Sequence, residues 1–222
     1  MELIKENLYV IRNKKIFSSN TYILKNSVND DCIIIDPGFD INLINKDIKE
    51  NNLKPLAIIS THGHFDHIGG ATFFKIKYNI PFYLHEADLK IAKSANFYLK
   101  VAQLNHKIVT PTPDFLFKGE YEYLKIKEFE IQIFNLPGHS PGSCVLKIEN
   151  LLFSGDILYK NGIGGFSIPK ENIGLLKKSI SKIFDIFNDE DLILPGHGAP
   201  EYIREIKKNN TELINFLYKN NE

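Results

Sequence analysis

The 222-residue sequence has only two cysteines, no net charge and no long apolar run. Cys32 and Cys144 lie in apolar segments, so we interpret both as buried thiols rather than as a functional pair. Lysine and arginine number 27, as do aspartate and glutamate, which argues against an electrostatic nucleic-acid surface. No segment reaches the ~18 apolar residues of a membrane span, and the N-terminus has no apolar signal core. We therefore expect a cytoplasmic protein that binds neither nucleic acid nor membrane.

The order of apolar segments predicts a mixture of strands and helices. The length lies within the range of one α/β domain, so we expect residues 1–222 to form a single domain. Short β-branched runs predict strands, and helical spacing of apolar residues predicts helices. The predicted strands are Tyr9–Arg12, Thr21–Leu24, Cys32–Ile35, Leu56–Ser60, Ile80–Leu84, Tyr121–Lys127, Glu130–Phe134, Cys144–Ile148, Leu151–Phe153 and Leu192–Leu194. The predicted helices begin near Asp40, Thr72, Glu86, Glu171 and Glu201, the last with a break near Asn209 and Asn210.

Three histidines and one aspartate follow the predicted strand that ends at Ser60. They lie in Thr61-His62-Gly63-His64-Phe65-Asp66-His67. Imidazole and carboxylate bind divalent cations such as zinc, and open α/β sheets place their sites where strands end. Four potential ligands are too many for one small cation that also leaves room for water and substrate. They could divide between two adjacent cations, with His62 and His64 on one and Asp66 and His67 on the other.

A site for two cations needs at least two further histidines and another acid. The sequence offers His139 in Leu136-Pro137-Gly138-His139-Ser140-Pro141-Gly142, Asp156 in Leu151-Leu152-Phe153-Ser154-Gly155-Asp156, and His197 in Leu192-Ile193-Leu194-Pro195-Gly196-His197-Gly198. Each follows a strand-like run and stands beside glycine or proline, which permit close approach and stiffen a loop. His85 and His106 are isolated, and we interpret them as core histidines.

The four motifs together resemble those of the metallo-β-lactamase fold hydrolases, whose hallmark is His-x-His-x-Asp-His. The neighbouring residues are most similar to the glyoxalase II branch, over the chain from about Asp36 to His197. The resemblance implies an α/β (α+β) fold, namely an αββα sandwich of two mixed β-sheets with helices on both outer faces. The halves of the sequence also repeat one pattern, since Ile33–Gly38 parallels Leu151–Asp156 and Ile58–His64 parallels Leu192–His197.

The same resemblance assigns a role to each candidate residue. It implies a first metal bound by His62, His64 and His139, a second bound by Asp66, His67 and His197, and Asp156 as a bridging carboxylate. Asp36 resembles a residue that supports the ligands without binding metal.

The activity implied is hydrolysis of a small thioester or a related ester by two divalent cations, with zinc as the first choice and iron or manganese as alternatives. Two dications give a hydroxide near neutral pH and stabilise the oxyanion. A thioester suits such a centre because its thiolate leaves without a strong general acid. Asp66 is the group best placed to orient the nucleophile or carry its proton.

Some features depart from the glyoxalase II pattern. The chain ends about 25 residues after Pro-Gly-His-Gly, which is too short for the C-terminal helical domain that helps bind glutathione. Gly165 stands where the family carries a basic residue, although Lys160 or Lys170 could replace it. Ser143 stands where a second histidine often follows the third motif. We therefore expect weak recognition of glutathione. Tyr159 and Phe166 are candidates either for pocket walls or, equally, for aromatic packing in the core.

Other functions remain open. Persulfide dioxygenases share this fold and use one iron held by two histidines and one carboxylate, here His62, His139 and Asp156. Lactone or phosphodiester hydrolysis by the same centre and a non-catalytic metal-binding protein are further alternatives. The second ligand set and the segment His67-Ile68-Gly69-Gly70 favour hydrolysis.

Overall fold

The computed structural model describes residues 1–13, 17–165 and 172–218. Within them the chain forms two β-sheets that face each other, with helices on the outer face of each sheet. The predicted αββα sandwich of two mixed sheets is therefore confirmed. Phe166, Lys170 and the predicted helix start at Glu171 lie outside the described residues.

The first sheet has seven strands, which lie side by side in chain order. Neighbouring strands from β1 to β4 are antiparallel, and those from β4 to β7 are parallel. The strands are β1 (Glu2–Lys5), β2 (Leu8–Arg12), β3 (Asn20–Lys25), β4 (Asp31–Ile35), β5 (Lys54–Ile59), β6 (Phe82–His85) and β7 (Phe115–Phe117).

The second sheet has six strands in the spatial order β13-β12-β11-β10-β9-β8. β11 and β12 are parallel, and the other neighbouring pairs are antiparallel. The strands are β8 (Tyr121–Ile126), β9 (Phe129–Asn135), β10 (Cys144–Ile148), β11 (Leu151–Gly155), β12 (Leu192–Pro195) and β13 (Glu201–Tyr202).

Helices from the first half of the chain cover the first sheet, and helices from the second half cover the second sheet. They are α1 (Ile41–Glu50), α2 (Phe65–Ile68), α3 (Ala71–Tyr78), α4 (Leu89–Lys93), α5 (Ala95–Val101), α6 (Ile173–Ile186), α7 (Ile203–Asn209) and α8 (Thr211–Tyr218), with a 3-10 turn at Glu86–Asp88. Among these described helices, none combines the length and apolar character needed to cross a membrane.

One predicted helix, beginning at Glu86, is not continuous. It is divided at Ser94, whose φ of −92° and ψ of 7° depart from α-helical values. The change of direction lets Ala95 and Leu99 of α5 pack fully buried in the core beneath the first sheet. Packing of the apolar face therefore overrides the local preference for one straight helix.

The central strands are buried on both faces. In β4, Ile33 packs between the sheets and Ile34 packs against the helices. In β12, Leu194 packs between the sheets and Ile193 packs against the helices on the other side. Because side chains alternate along a strand, a strand covered on both sides is an unbroken apolar run. This is why these strands were predictable from the sequence.

Three of the four edge strands, β1, β7 and β13, were not predicted. β13 lies in a segment that was predicted to be helical from Glu201. These strands have only two to four residues and are mostly half-buried or exposed. Their pairing depends on a neighbouring strand rather than on an apolar run of their own, so the local sequence gives little signal.

The two halves of the chain contain the same supersecondary unit. A parallel pair, β4 and β5, is connected through α1, and another, β11 and β12, is connected through α6. Asp36 and Asp156 follow the first strand of each unit, and His62 and His197 follow the second. The repeat seen in the sequence therefore corresponds to two units whose strand ends carry the candidate residues.

The break between α7 and α8 gives a test of the packing in the second half. Asn210 Nδ2 donates to Tyr159 O at 3.1 Å and Gly162 O at 3.0 Å, and Asn210 Oδ1 accepts from Leu213 N–H at 2.9 Å. Asn210→Ala should lower the free energy of unfolding by about 1–3 kcal/mol, because buried polar groups lose their partners.

The neighbouring residue provides the control. Asn209 is exposed, and among the described residues its side chain donates to Glu205 Oε2 alone. Asn209→Ala should change the free energy of unfolding by less than about 0.5 kcal/mol. Urea unfolding measures both variants, and equal effects would contradict the assigned role of Asn210.

Candidate metal centre

All seven predicted ligand side chains meet at one end of the sandwich. The loop after β5 and the first turn of α2 supply four of them, and the loops after β9, β11 and β12 supply one each. They are His62, His64, Asp66, His67, His139, Asp156 and His197. Six of the seven are buried, and the His197 side chain is 25% exposed. Among these seven side chains, that of His197 is therefore the most accessible to solvent.

Three imidazoles form a first group. Ring centroids lie 4.7 Å apart for His62 and His64, 5.0 Å for His62 and His139, and 4.7 Å for His64 and His139. Their candidate ligand atoms all lie within 4.8 Å of one another. This spacing is compatible with three nitrogens converging on one cation.

A second group combines one carboxylate with two imidazoles. Asp66 Oδ2 lies 3.5 Å from His67 Nε2 and 3.3 Å from His197 Nε2. The candidate ligand atoms of Asp66, His67 and His197 also lie within 4.8 Å of one another. The structure therefore assembles the second predicted set as compactly as the first.

Asp156 lies between the two groups. Its Oδ1 is 3.5 Å from His67 Nε2, and its Oδ2 is 3.3 Å from His197 Nε2 and 3.7 Å from His139 Nε2. It thus contacts members of both groups, as a bridging carboxylate must.

Asp36 contacts the cluster from behind. Its Oδ2 is 3.1 Å from His67 Nδ1, and its two oxygens accept from Thr61 N–H and Thr61 Oγ1, both at 2.7 Å. Because Nδ1 is engaged by Asp36, Nε2 of His67 points towards Asp66 and Asp156. A carboxylate on the far nitrogen fixes the orientation of a ligating imidazole.

The first group is held in the neutral form that binds metal. Burial lowers the pKa of His62 well below its usual range, and the neighbouring imidazoles of His67 and His64 add to the effect. Burial also lowers the pKa of His64, and lowers that of His139 to about 4. A neutral imidazole offers a nitrogen lone pair to a cation.

The second group is held together by opposite charges. Burial alone would lower the pKa of His197, but Asp156 and Asp66 raise it to about 10. The same carboxylates outweigh burial and raise the pKa of His67 well above its usual range. Burial would raise the pKa of Asp156, yet the imidazoles of His67 and His197 hold it well below its usual range. A cation bound here would release the imidazole protons and compensate the same carboxylates.

Several buried atoms in the cluster lack a hydrogen-bond partner among the described residues. They include His62 Nε2, His67 Nε2 and Asp156 Oδ1. The candidate ligand atoms of these three side chains lie within 4.8 Å of one another. Buried polar atoms in folded proteins are nearly always satisfied, so these atoms need a common partner. Imidazole and carboxylate donors in this arrangement fit divalent cations.

The two remaining histidines lie apart from the cluster. His85 is buried, with Nε2 3.1 Å from Gly119 O and Nδ1 accepting from Ala87 N–H, which agrees with the predicted structural role. The prediction of a core position for His106 was wrong. His106 is exposed in the irregular segment after α5, where its ring meets the edge of Phe39 with centroids 6.1 Å apart.

The sequence motifs did not reveal the residues that hold the His197 loop. Asn20 Nδ2 and Tyr22 Oη, both on β3, donate to Pro195 O at 2.9 Å and 2.7 Å. Ser19 forms a β-bridge with His197, and its Oγ donates to Asp66 O at 2.8 Å. A run of polar residues entering a buried strand is the only local signal of this role.

A second missed residue is Asp88, which joins two of the ligand loops. Its signal was an acid three residues beyond the end of β6, the strand next to β5, at the sheet edge where the first motif lies. The candidate wall Tyr159 does lie beside the cluster, with its ring perpendicular to that of His197 and centroids 6.1 Å apart.

The sequence is similar to known proteins of one superfamily. The sequence pattern of the metallo-beta-lactamase superfamily matches residues 15–215. The chain is 36% identical over 182 residues to the probable metallo-hydrolase YqgX of Bacillus subtilis, covering 81% of this chain and 85% of that protein. It is 32% identical over 180 residues to the hydroxyacylglutathione hydrolase GloC of Haemophilus influenzae, covering 80% and 84%.

Solved structures show the same fold. The BLEG-1 B3 metallo-beta-lactamase superposes with a TM-score of 0.85 at 31% identity, covering 95% of this chain and 99% of that one. The protein TTHA1623, solved in a di-iron-bound form, superposes with a TM-score of 0.80 at 25% identity, covering 91% and 98%. The chain is therefore a metallo-hydrolase of the metallo-beta-lactamase superfamily.

Proposed function

We propose that the protein hydrolyses a small thioester or a related ester at a centre of two divalent cations. The observation that carries this proposal is the contact of Asp156 with members of both ligand groups. When bound, two dications supply hydroxide near neutral pH and a Lewis acid for the carbonyl oxygen. Zinc is the first choice, and the di-iron form of TTHA1623 supports iron as an alternative.

The proposed ligands follow the two groups seen in the structure. His62, His64 and His139 would hold the first cation, while Asp66, His67 and His197 would hold the second. Asp156 would serve both cations, and its negative charge would offset their mutual repulsion. The neutral imidazoles of the first group and the carboxylate-paired imidazoles of the second group support this division.

Residues of the chain also serve the reaction directly. Asp66 Oδ2 orients the nucleophile or holds its proton, since it lies in the second group beside His197, the most exposed member. Asp36 fixes the ring of His67 through Nδ1. The ring of Tyr159 lies beside His197, so we propose it as one wall of the substrate pocket.

The proposed substrate class rests on the relatives and on the residues at and near Gly165. Similarity to GloC supports a thioester substrate. Recognition of glutathione has weaker support, because Gly165 is exposed where the family often carries a basic side chain, and no described residue lies within 4 Å of a Cβ built there. Lys160 does not replace that charge freely, since its Nζ lies 2.9 Å from Glu201 Oε2.

The assembled second group also argues against the persulfide dioxygenase alternative. That reaction uses one iron, for which His62, His139 and Asp156 would suffice. The compact arrangement of Asp66, His67 and His197 has no role in a one-iron centre. A single bound ion would nevertheless favour that alternative, so metal content decides between the two.

We predict about two divalent ions per chain when the purified protein is saturated with zinc, iron or manganese. The two groups of ligand atoms are each compact enough for one ion. Elemental analysis after removal of free metal gives the count. A maximum of one ion per chain would reject the two-metal centre.

Asp156→Ala should lower the affinity of the protein for both metal ions, because the carboxylate lies between the two ligand groups. Loss of a residue that only supports a ligand lowers metal affinity by roughly tenfold to hundredfold, and the loss of affinity in Asp156→Ala should be larger. His85→Ala is the control, since His85 is buried and bonded elsewhere and should leave the metal content unchanged. Metal titration monitored by calorimetry measures both variants. Loss of metal in His85→Ala with retention in Asp156→Ala would refute the ligand assignment.

The protein should hydrolyse lactoyl-glutathione and the same acyl group on a truncated thiol with similar kcat/KM. A missing charge-assisted hydrogen bond costs about 1.5–3 kcal/mol, or roughly tenfold to hundredfold in binding, and Gly165 cannot form one. Release of thiol, followed with a chromogenic reagent, gives both rates.

The alternative outcomes of this assay are distinct. A preference above about a thousandfold for the glutathione thioester would show that other residues rebuild the missing contact. Oxygen consumption on glutathione persulfide without thioester cleavage would favour the dioxygenase. Cleavage of a lactone, a phosphodiester or a β-lactam in place of the thioester would keep the metallo-hydrolase and change its substrate.

A further inference from the structure

Asp88 is a fully buried carboxylate that joins two loops of the candidate metal centre. It ends the 3-10 turn that follows β6. Its Oδ2 accepts hydrogen bonds from Gly63 N–H at 2.8 Å and from Ser140 Oγ at 2.6 Å. Its Oδ1 accepts from Gly142 N–H at 2.7 Å. One side chain therefore ties together segments that are more than 70 residues apart in the sequence.

The donors to Asp88 flank three of the proposed ligands. The first donor stands between His62 and His64, on the loop after β5 of the first sheet. The other two follow His139, on the loop between β9 and β10 of the second sheet. Nδ1 of His64 and Nε2 of His139 are only 2.9 Å apart, so the geometry of this ligand set depends on the spacing of the two loops.

Two motif glycines are explained by the approach of this carboxylate. A Cβ at Gly142 would lie 2.7 Å from Asp88 Cγ and 2.8 Å from Asp88 Oδ1. A Cβ at Gly63 would lie 2.9 Å from Asp88 O and 3.0 Å from Asp88 Cβ. Side chains at either position would displace Asp88, so glycine is needed for the contact as much as for the turn.

The hydrogen bonds around Asp88 come from neutral groups. Among the described residues no lysine, arginine or histidine forms an ion pair with it, and its contacts are the three donors of the two loops. Ser143, at the position where the family often has a second histidine, accepts from Ser140 N–H at 3.0 Å and so fixes the serine that contacts Asp88. A satisfied buried network of this kind rigidifies the groups that form it.

We propose that Asp88 is a positioning residue that sets the spacing of the His62–His64 loop and the His139 loop, and thereby the affinity of that ligand set for its cation. Asp88 binds neither the cation nor the substrate. The inference rests on the proposed metal-binding role of these three histidines. Asp88 is thus a further supporting residue, distinct from the ligands themselves and from Asp36.

The substitution Asp88→Asn tests the proposal with little change of volume. An amide offers one oxygen and one NH2 group, so it cannot accept from both backbone N–H groups. If the NH2 group faces Gly142, the Gly142 N–H loses its acceptor. If the NH2 group faces Gly63, the Gly63 N–H loses its acceptor. Either orientation releases one of the two loops.

Asp191→Asn is the matched control. Asp191 is also buried, with Oδ2 accepting from Lys147 Nζ at 2.9 Å and from Asn188 N–H at 3.0 Å. It precedes β12, at the opposite end of that strand from His197. The control therefore disturbs a buried carboxylate without reaching the metal centre.

The measurement is zinc titration of the full chain after treatment with a chelator, with urea unfolding of the metal-free protein alongside. Asp88→Asn should weaken one of the two binding steps by about tenfold to hundredfold, and the weakened step should be the one that His139→Ala removes. The other step should change by less than about threefold. Asp191→Asn should lower stability and leave both steps unchanged.

Each outcome separates the two proposals. Unchanged zinc affinities in Asp88→Asn, or equal weakening of both steps, would overturn the positioning role and leave the two-metal centre intact. Absence of zinc binding by the unaltered chain would instead overturn the proposed function. If Asp88→Asn does not fold, Ser140→Ala decides, since it removes the hydroxyl donor alone. It should weaken the same step a few-fold, and no change would contradict the proposal.

Discussion

The structure depends on the burial of carboxylates and imidazoles in one cluster. A buried carboxylate is costly unless charges or hydrogen bonds compensate it. Asp66 and Asp156 are both buried, and their nearest opposite charges are the imidazoles of His67 and His197. This balance requires side chains from several loops to meet within a few ångströms. The fold must therefore hold these loops more firmly than their own short sequences can.

The sandwich meets this requirement in two ways. Both central parallel pairs are covered on each face by apolar side chains, so the strand ends that carry the ligands have little freedom. Hydrogen bonds between neighbouring elements then position the loops that follow these strands. Asp36 joins the end of β4 to His67, and Tyr22 of β3 holds the carbonyl of Pro195 before His197. These ties run between elements, so each ligand loop is positioned by a neighbour.

The ligands and the central strands could be predicted because their signals are local. A histidine or aspartate directly after an apolar run is visible in a short window, and a strand buried on both faces is itself such a run. Three of the four edge strands, the division of a helix at Ser94 and the exposed position of His106 depend on more than the local sequence and were missed. Asp88 shows the limit most clearly, since its role depends on donors from two separate loops.

The residues proposed for the reaction and those proposed for substrate choice lie in different parts of the structure. Six of the seven proposed ligands are buried, whereas Gly165, which we propose to bear on substrate choice, is exposed on a loop. Substitutions on such loops change little in the packing, so one metal centre can serve relatives with different activities. The similar proteins include one named as a hydroxyacylglutathione hydrolase and one named as a metallo-beta-lactamase, at nearly equal identity to this chain. In our proposal the choice of substrate therefore depends on the charge and space of the surrounding loops, and Lys160, one candidate for the missing charge, is paired with Glu201.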